Sequence, residues 1–230
     1  MERETFGKVL ANRLSRMVLA CAGLMLFAFG GYLQLQANIG LASWSSLNQG
    51  LALRFPISYG PASILVSVAV IVVDLLMKEP IGLGTLLDAF LVGWGTDLFL
   101  RMGFPMLEDA MALQLLLLFL GMVILCAGQY LYMRAGLSCG PRDALMVGLG
   151  KRFPKLSIGT INIIITVVVL LCAMALGSRV GVGTVVCIFG SGAVMDAVFK
   201  LLRFEPRSVE HEGLMQTFRA LISAIGDKRE

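Results

Sequence analysis

Apolar runs of about 20 residues with few charges recur along the chain: Met17 to Gln36, Gly60 to Met77, Leu83 to Leu100, Met111 to Met133, Ser157 to Leu176 and Val182 to Leu202. Each is long enough to cross the hydrocarbon core of a bilayer as a helix. The pattern therefore predicts six spanning helices and an all-α polytopic membrane bundle. Two mixed segments, 41–55 and 137–153, interrupt it. Each is about 15 residues, roughly 22 Å if helical, and too polar for a comfortable span. The composition of these segments suits a re-entrant or broken half-helix, which survives at membrane depth only where protein or water covers its backbone. The bland alternative is a connector lying flat at the interface, with Trp44 as its aromatic anchor.

The pattern is also duplicated. Gly40-Leu41, Gly50-Leu51, Arg54-Phe55-Pro56, Gly60, Gly82-x-Gly84-Thr85, Gly93 and Asp97 return in order as Gly136-Leu137, Gly148-Leu149, Arg152-Phe153-Pro154, Gly159, Gly181-x-Gly183-Thr184, Gly192 and Asp196. The offset grows only from 96 to 98 to 99, so two small insertions separate the copies. Two halves of one unit are typical of transporter folds. The expected organisation is a cytoplasmic N-terminal segment at 1–16, membrane repeats at 17–101 and 111–202, and a cytoplasmic tail at 203–230. Three spans per repeat is an odd number, so the second half is expected to enter the membrane inverted relative to the first.

Composition and charge sharpen the class. The chain is 57% hydrophobic and 15% charged, with a mean hydropathy of +0.84, whereas soluble domains carry about 25% charged residues. With the N-terminus inside, only Arg54, Arg101 and Arg179 fall outside, which leaves 16 of the 19 Lys and Arg on the cytoplasmic side. That bias orients both termini inward. The net charge of +4 is thus a topology signal, not a nucleic-acid footprint. A signal-peptide reading of the N-terminus fits less well, because the first apolar run is long, lacks a small-x-small cleavage site and belongs to the first repeat.

The mixed segments carry the most polar sequence of the membrane region, Ser43-Trp44-Ser45-Ser46-Leu47-Asn48 in one and Ser138-Cys139-Gly140-Pro141-Arg142-Asp143 in the other. Small and hydroxyl residues there suit a helix N-terminus, and Pro141 suits its first turn. Such a terminus presents unpaired N–H groups and partial positive charge to a ligand. Gln34 and Asn38, one turn apart, precede the first segment, and Gln129 and Tyr130 precede the second. Together Gln34, Asn38, Ser43, Trp44, Ser45, Asn48, Gln129, Tyr130, Ser138, Arg142 and Asp143 are the candidate substrate-binding residues. Interface-level polarity accounts better for Gln36 and Tyr132.

Acidic residues inside spans are costly and mark function more sharply. Asp88, Asp97 and Asp196 are the candidates for coupling to an ion; Asp74 lies near the end of the second span. Asp97 and Asp196 alternatively form surface pairs with Arg101 and Lys200, four residues on, while Asp88 has no basic residue one turn away. The Gly-x-Gly-Thr motifs lack a following Lys and a preceding strand, so they read as close packing rather than a phosphate loop, with Thr85 and Thr184 bonding between helices. Five cysteines show no Cys-x-x-Cys spacing, and the single histidine, His211, lies in the polar tail. No metal, cofactor or catalytic constellation is expected, and the chain is not read as an enzyme. Glu212 to Ile225 has the spacing of an amphipathic helix, expected at the inner leaflet.

A first helix ending in a polar Gly-Leu, a Trp-containing short segment closing with Gly50-Leu51 and Arg54-Phe55, then Gly60, Gly84-Thr85 and a helix ending at Asp97, resembles the YczE/YyaS/YitT family of bacterial integral membrane proteins. The resemblance covers Met17 to Leu202 and implies a polytopic, transporter-like protein of the inner membrane, with no agreed substrate or catalytic residues to carry over. Expected partners are the lipid bilayer and a small anionic or zwitterionic solute, with a homodimer enlarging the modest cavity of six spans. A non-transporting scaffold or accessory protein is the alternative class.

Overall fold

The computed structural model describes residues 6–103, 110–137, 140–156, 158–178 and 180–204. These form eight helices and no strand: α1 Phe6–Ala37, α2 Ser43–Arg54, α3 Tyr59–Leu76, α4 Leu83–Leu100, α5 Met111–Arg134, α6 Pro141–Arg152, α7 Ile158–Ala175 and α8 Val182–Leu201. The order of long, short, long, long occurs twice. Five helices, α1, α3, α4, α5 and α8, are long and apolar enough to cross a membrane, and α7 contributes a shorter apolar stretch, Thr160–Ala175. The first helix begins well before Met17, so most of the segment expected as a cytoplasmic arm continues α1. The tail helix expected at 212–225 lies outside the described residues.

Local chemistry explains the helix ends. After α1 the chain takes left-handed backbone at Asn38 (φ 54°) and Gly40 (φ 108°), and after α5 at Gly136 (φ 65°), which stops both helices. The repeated Arg-Phe-Pro ends the short helices, because a proline excludes the α region for the residue before it; Phe55 and Phe153 sit at φ −116° and −119°. At 12 residues, α2 and α6 are each about 18 Å long, well under the ~30 Å hydrocarbon core.

The centre of the bundle is α1 against α5. Gly23 and Gly30 of α1 face Gly128 and Gly121 of α5 in reversed order, so the two helices run antiparallel. A Cβ at Gly128 would lie 2.4 Å from the Phe27 amide nitrogen, and one at Gly30 would lie 2.5 Å from that of Leu125. Backbone therefore meets backbone over two helical turns, the packing that small residues permit in membranes. Arg16 extends the same contact. Its Nε donates to the Ala135 carbonyl at 2.6 Å and its Nη2 to that of Gly136 at 2.9 Å, neutralising the C-terminal dipole end of α5.

Around this pair the halves exchange partners. α2 packs on α7 as well as on α3, and α6 packs on α3 as well as on α7. The Gly-x-Gly-Thr motifs make a second exchange. Gly84 N–H donates to the Leu137 carbonyl at 3.2 Å, and Gly183 N–H donates to that of Ile39 at 2.7 Å, so each motif docks on the turn behind the other half's first helix. Thr85 and Thr184, both buried, accept the amide protons of Gly82 and Gly181 and cap their own helices.

The burial pattern suits lipid. Gln34, Gln36, Ser46, Asn48, Ser63, Ser67, Thr85 and Thr184 are buried, while Leu65, Val72, Phe90, Trp94, Leu116, Phe119, Ile163 and Phe189 are exposed. One difference separates the halves. Gly60 of α3 and Gly93 of α4 are in backbone contact, whereas the equivalent Gly192 of α8 has nothing among the described residues within 4 Å of a built Cβ.

Replacing Gly128 with Val is expected to lower the thermal midpoint of the detergent-purified protein strongly, since overpacking costs about 1–3 kcal/mol even where backbone can shift. Gly192→Ala, at an open position, is expected to leave the midpoint within about 1 °C on the usual scale of neutral surface changes.

Candidate functional site

The short helices begin inside the bundle, and their N-termini meet. Trp44 is the second residue of α2 and Arg142 the second of α6; the guanidinium carbon of Arg142 lies 5.1 Å from the Trp44 ring centroid. This cation–π contact joins residues that occupy equivalent places in the two halves. Ala42 and Gly140 precede the helices, and neither end receives a side-chain cap from its own first residue.

A cavity of about 390 Å³ opens at this junction, within the usual range of small-molecule sites. Asp88, Gln129, Tyr132, Arg142, Asp143 and Asn162 supply much of its polar wall. Tyr132 Oη donates to Asp143 Oδ2 at 3.3 Å. Asp88 stands at the start of α6, where a Cβ on Gly140 would lie 3.1 Å from Asp88 Oδ2. A second lobe of about 150 Å³ shares Trp44, Ser63 and Arg142 with the first and adds Gln34, Ser45 and Asn48. There Asn48 Nδ2 donates to Ser63 Oγ at 3.0 Å. Where the second half carries the equivalent of Asp88 it has Cys187, whose thiol lies 3.8 Å from Gln34 Oε1. One wall of the junction is thus acidic and the other is a thiol–amide pair.

Of the residues singled out from sequence, Gln34, Trp44, Ser45, Asn48, Asp88, Gln129, Arg142 and Asp143 line these two lobes. Others stand elsewhere. Ser43, the first residue of α2, is buried and lines neither lobe. Asn38, exposed, lines a separate outer depression with Gln49 and Arg54, so it does not share a cavity with Gln34. Tyr130 accepts from Arg134 Nη1 at 2.8 Å and packs edge-on to Phe204, with centroids 5.0 Å apart. Asp97 accepts from the Gly60 amide at 2.6 Å and from the Ser58 hydroxyl, capping α3 from the neighbouring helix. Asp196 is exposed on α8. Ser138 lies outside the described residues.

Sequence reasoning missed Tyr132, Ser63, Ser67 and Asn162. Ser63 and Ser67 were legible as hydroxyls one turn apart in an apolar span, a spacing that places both on one face. Tyr132 was not, because a tyrosine near a helix end reads equally as an interface anchor.

A family model covers residues 14–200 of the chain, and its description is a family of unknown function, DUF6198. The chain belongs to the DUF6198 family. Among its relatives, an uncharacterized protein of Haemophilus influenzae is 32% identical over 181 residues, covering 78% of this chain and 81% of the relative. The uncharacterized membrane protein YczE of Bacillus subtilis is 26% identical, over 76% of this chain and 80% of the relative. The uncharacterized protein YyaS of the same organism is 26% identical, over 78% and 90%. The YczE and YyaS parts of the family resemblance therefore stand, while the YitT part has no counterpart among these relatives. No solved structure matches the chain. The apolar helices and the YczE relative together make this DUF6198 protein a multi-pass integral membrane protein.

Asp97 and Asp196, equivalent in sequence, are expected to differ in weight. Asp97→Ala should cost about 1 kcal/mol, the usual loss for a helix cap, and Asp196→Ala should stay within about 0.5 kcal/mol, as exposed substitutions do. Thermal unfolding of the two purified variants measures the difference.

Proposed function

We propose that this protein carries a small zwitterionic or anionic solute across the bacterial inner membrane, and that the solute sits where the two short helices meet. The observation that carries this reading is the Arg142–Trp44 contact inside a cavity bounded by both halves. Arg142 offers a fork of donors to a carboxylate or phosphate, and the α2 and α6 N-termini add partial positive charge on the same side. Asp88 and Asp143, on the same cavity wall, are placed to take an ammonium group. Such charges are expensive within a membrane unless they serve a polar ligand or one another. The aromatic walls from Phe27 and Trp44 suit the less polar part of the solute.

The antiparallel α1/α5 pair and the exchanged packing of the short helices support inverted halves that rock about the central contact, the alternating-access scheme of duplicated transporters. In that scheme both termini are cytoplasmic, Asp88 couples the movement of solute to an ion, and the protein performs no chemical step on what it moves. A homodimer would shield the exposed apolar faces of α7 and α8. A non-transporting accessory role is the competing class.

Metabolite profiling of cells with and without the protein identifies candidate solutes, and uptake into proteoliposomes tests them. Arg142→Gln should raise the KM about 10- to 100-fold, as expected for losing a charge-assisted hydrogen bond, and Asp88→Asn should abolish the dependence of uptake on pH or Na⁺. Uptake by both variants at the wild-type rate would rule out this site. In a cysteine-free background, cysteines at Met102 and Leu202 should label from opposite sides of the membrane; labelling from one side would sink the inverted arrangement.

A further inference from the structure

The last turn of α3 holds a carboxylate that the cavity does not use. Asp74 is 0% exposed, and neither of its oxygens has a hydrogen-bond partner among the described residues. An unpaired polar group so enclosed costs several kcal/mol, and an unpaired charge costs more. Packing alone does not call for it: the equivalent position in the other half is Ala173, equally buried.

Its surroundings differ between the halves in the same sense. Glu79 N–H donates to the Asp74 carbonyl at 2.9 Å, which folds the chain back and brings a second carboxylate to this end of α3. Glu79 is 8% exposed and pairs with the exposed Lys151 of α6 at 2.6 Å. A Cβ on Gly148 would lie 2.8 Å from Glu79 Cγ, so α6 lies directly against the acid. In the second half Ser178 replaces Glu79 and lies 3.3 Å from the Gln49 side-chain oxygen, to which its hydroxyl donates. One half has a neutral latch, the other an acid pair.

Asp74 also shares a face with the cavity wall. Ser63, Ser67, Val70 and Asp74 are all buried on α3, and their spacing of four, three and four places them in one row. Ser63 and Ser67 line the cavity, which puts Asp74 seven residues, about 10 Å, farther along that row. Lys78 and Glu79, both in the turn that closes α3, are the charged residues nearest to Asp74 along the chain. Lys151 of α6 is engaged by Glu79, the acids Asp88 and Asp143 of α4 and α6 line the cavity, Asp97 of α4 is held at the opposite end of α3, and α2 carries no acid.

We infer that Asp74 is a second cation-binding site, for a proton or Na⁺, distinct from the coupling acid Asp88 and placed at the end of the serine row that leads from the solute cavity. This rests on the transport reading for its purpose, but binding is measured without any solute. The full-length protein, its Asp74→Asn variant and its Asp74→Ala variant are reconstituted in phosphatidylcholine vesicles; the Ala variant copies the residue that the second half already accommodates. Infrared spectra at neutral pH report protonated carboxyl groups, and thermal midpoints in NaCl against choline chloride at equal ionic strength report Na⁺.

A proton at Asp74 gives a protonated-carboxyl band that both variants lose, with no Na⁺ effect. Na⁺ instead gives a midpoint rise of a few degrees in NaCl, by linkage, that both variants lose. Bands and Na⁺ response that are the same in wild type and whichever variant folds overturn the inference. Cation binding at Asp74 in a protein that moves no solute in the uptake assay would overturn the transport reading and leave the site standing.

Discussion

Everything in this bundle is built on the backbone contact of α1 with α5. Four glycines, Gly23, Gly30, Gly121 and Gly128, let two helices approach until amide nitrogens and carbonyl oxygens lie where side chains would otherwise stand. In lipid there is little hydrophobic gain from bringing helices together, so such close packing is a main source of association. Antiparallel orientation adds the favourable alignment of opposed dipoles, and Arg16 anchors one end by its bonds to Ala135 and Gly136.

That contact sets the placement of the other helices. With the first helix of each half locked to the other, the turn behind each one is presented to the opposite half's Gly-x-Gly-Thr motif, and Gly84 and Gly183 bond across. The short helices then have nowhere to run but between the halves, where α2 meets α7 and α6 meets α3. Their N-termini converge, and Trp44 and Arg142 come face to face. Polarity in the membrane region depends on position. Residues near that junction face one another or the cavity, while the apolar faces of α3, α4, α7 and α8 point outward.

The halves share a plan but not a chemistry. Asp88 opposes Cys187, Asp74 opposes Ala173, Glu79 opposes Ser178, and Arg142 opposes Trp44 across the same framework. The retained positions are mostly glycines and turn residues, which the geometry of close approach demands. Among the varied positions, Asp88, Arg142 and Asp143 lie on the cavity wall and Asp74 on the inner row of α3.

Composition and period determined the class: long apolar runs must span because no shorter solution satisfies backbone hydrogen bonds in hydrocarbon, and the repeated glycines revealed the duplication. The starts of the short helices were legible, since small or hydroxyl residues stand at each and Pro141 opens the second. Which polar residues would gather was a different matter. Gln34 and Asn38 lie one turn apart in sequence, yet the left-handed backbone at Asn38 turns it away from the lobe that Gln34 lines. Asp97 and Asp196 are equivalent in sequence, yet Asp97 caps α3 while Asp196 is exposed on α8. Tyr132 lines the cavity although its place near a helix end does not require it. Which face of α5 turns inward is set by its packing on α1 and α8, and only the assembled bundle decides it.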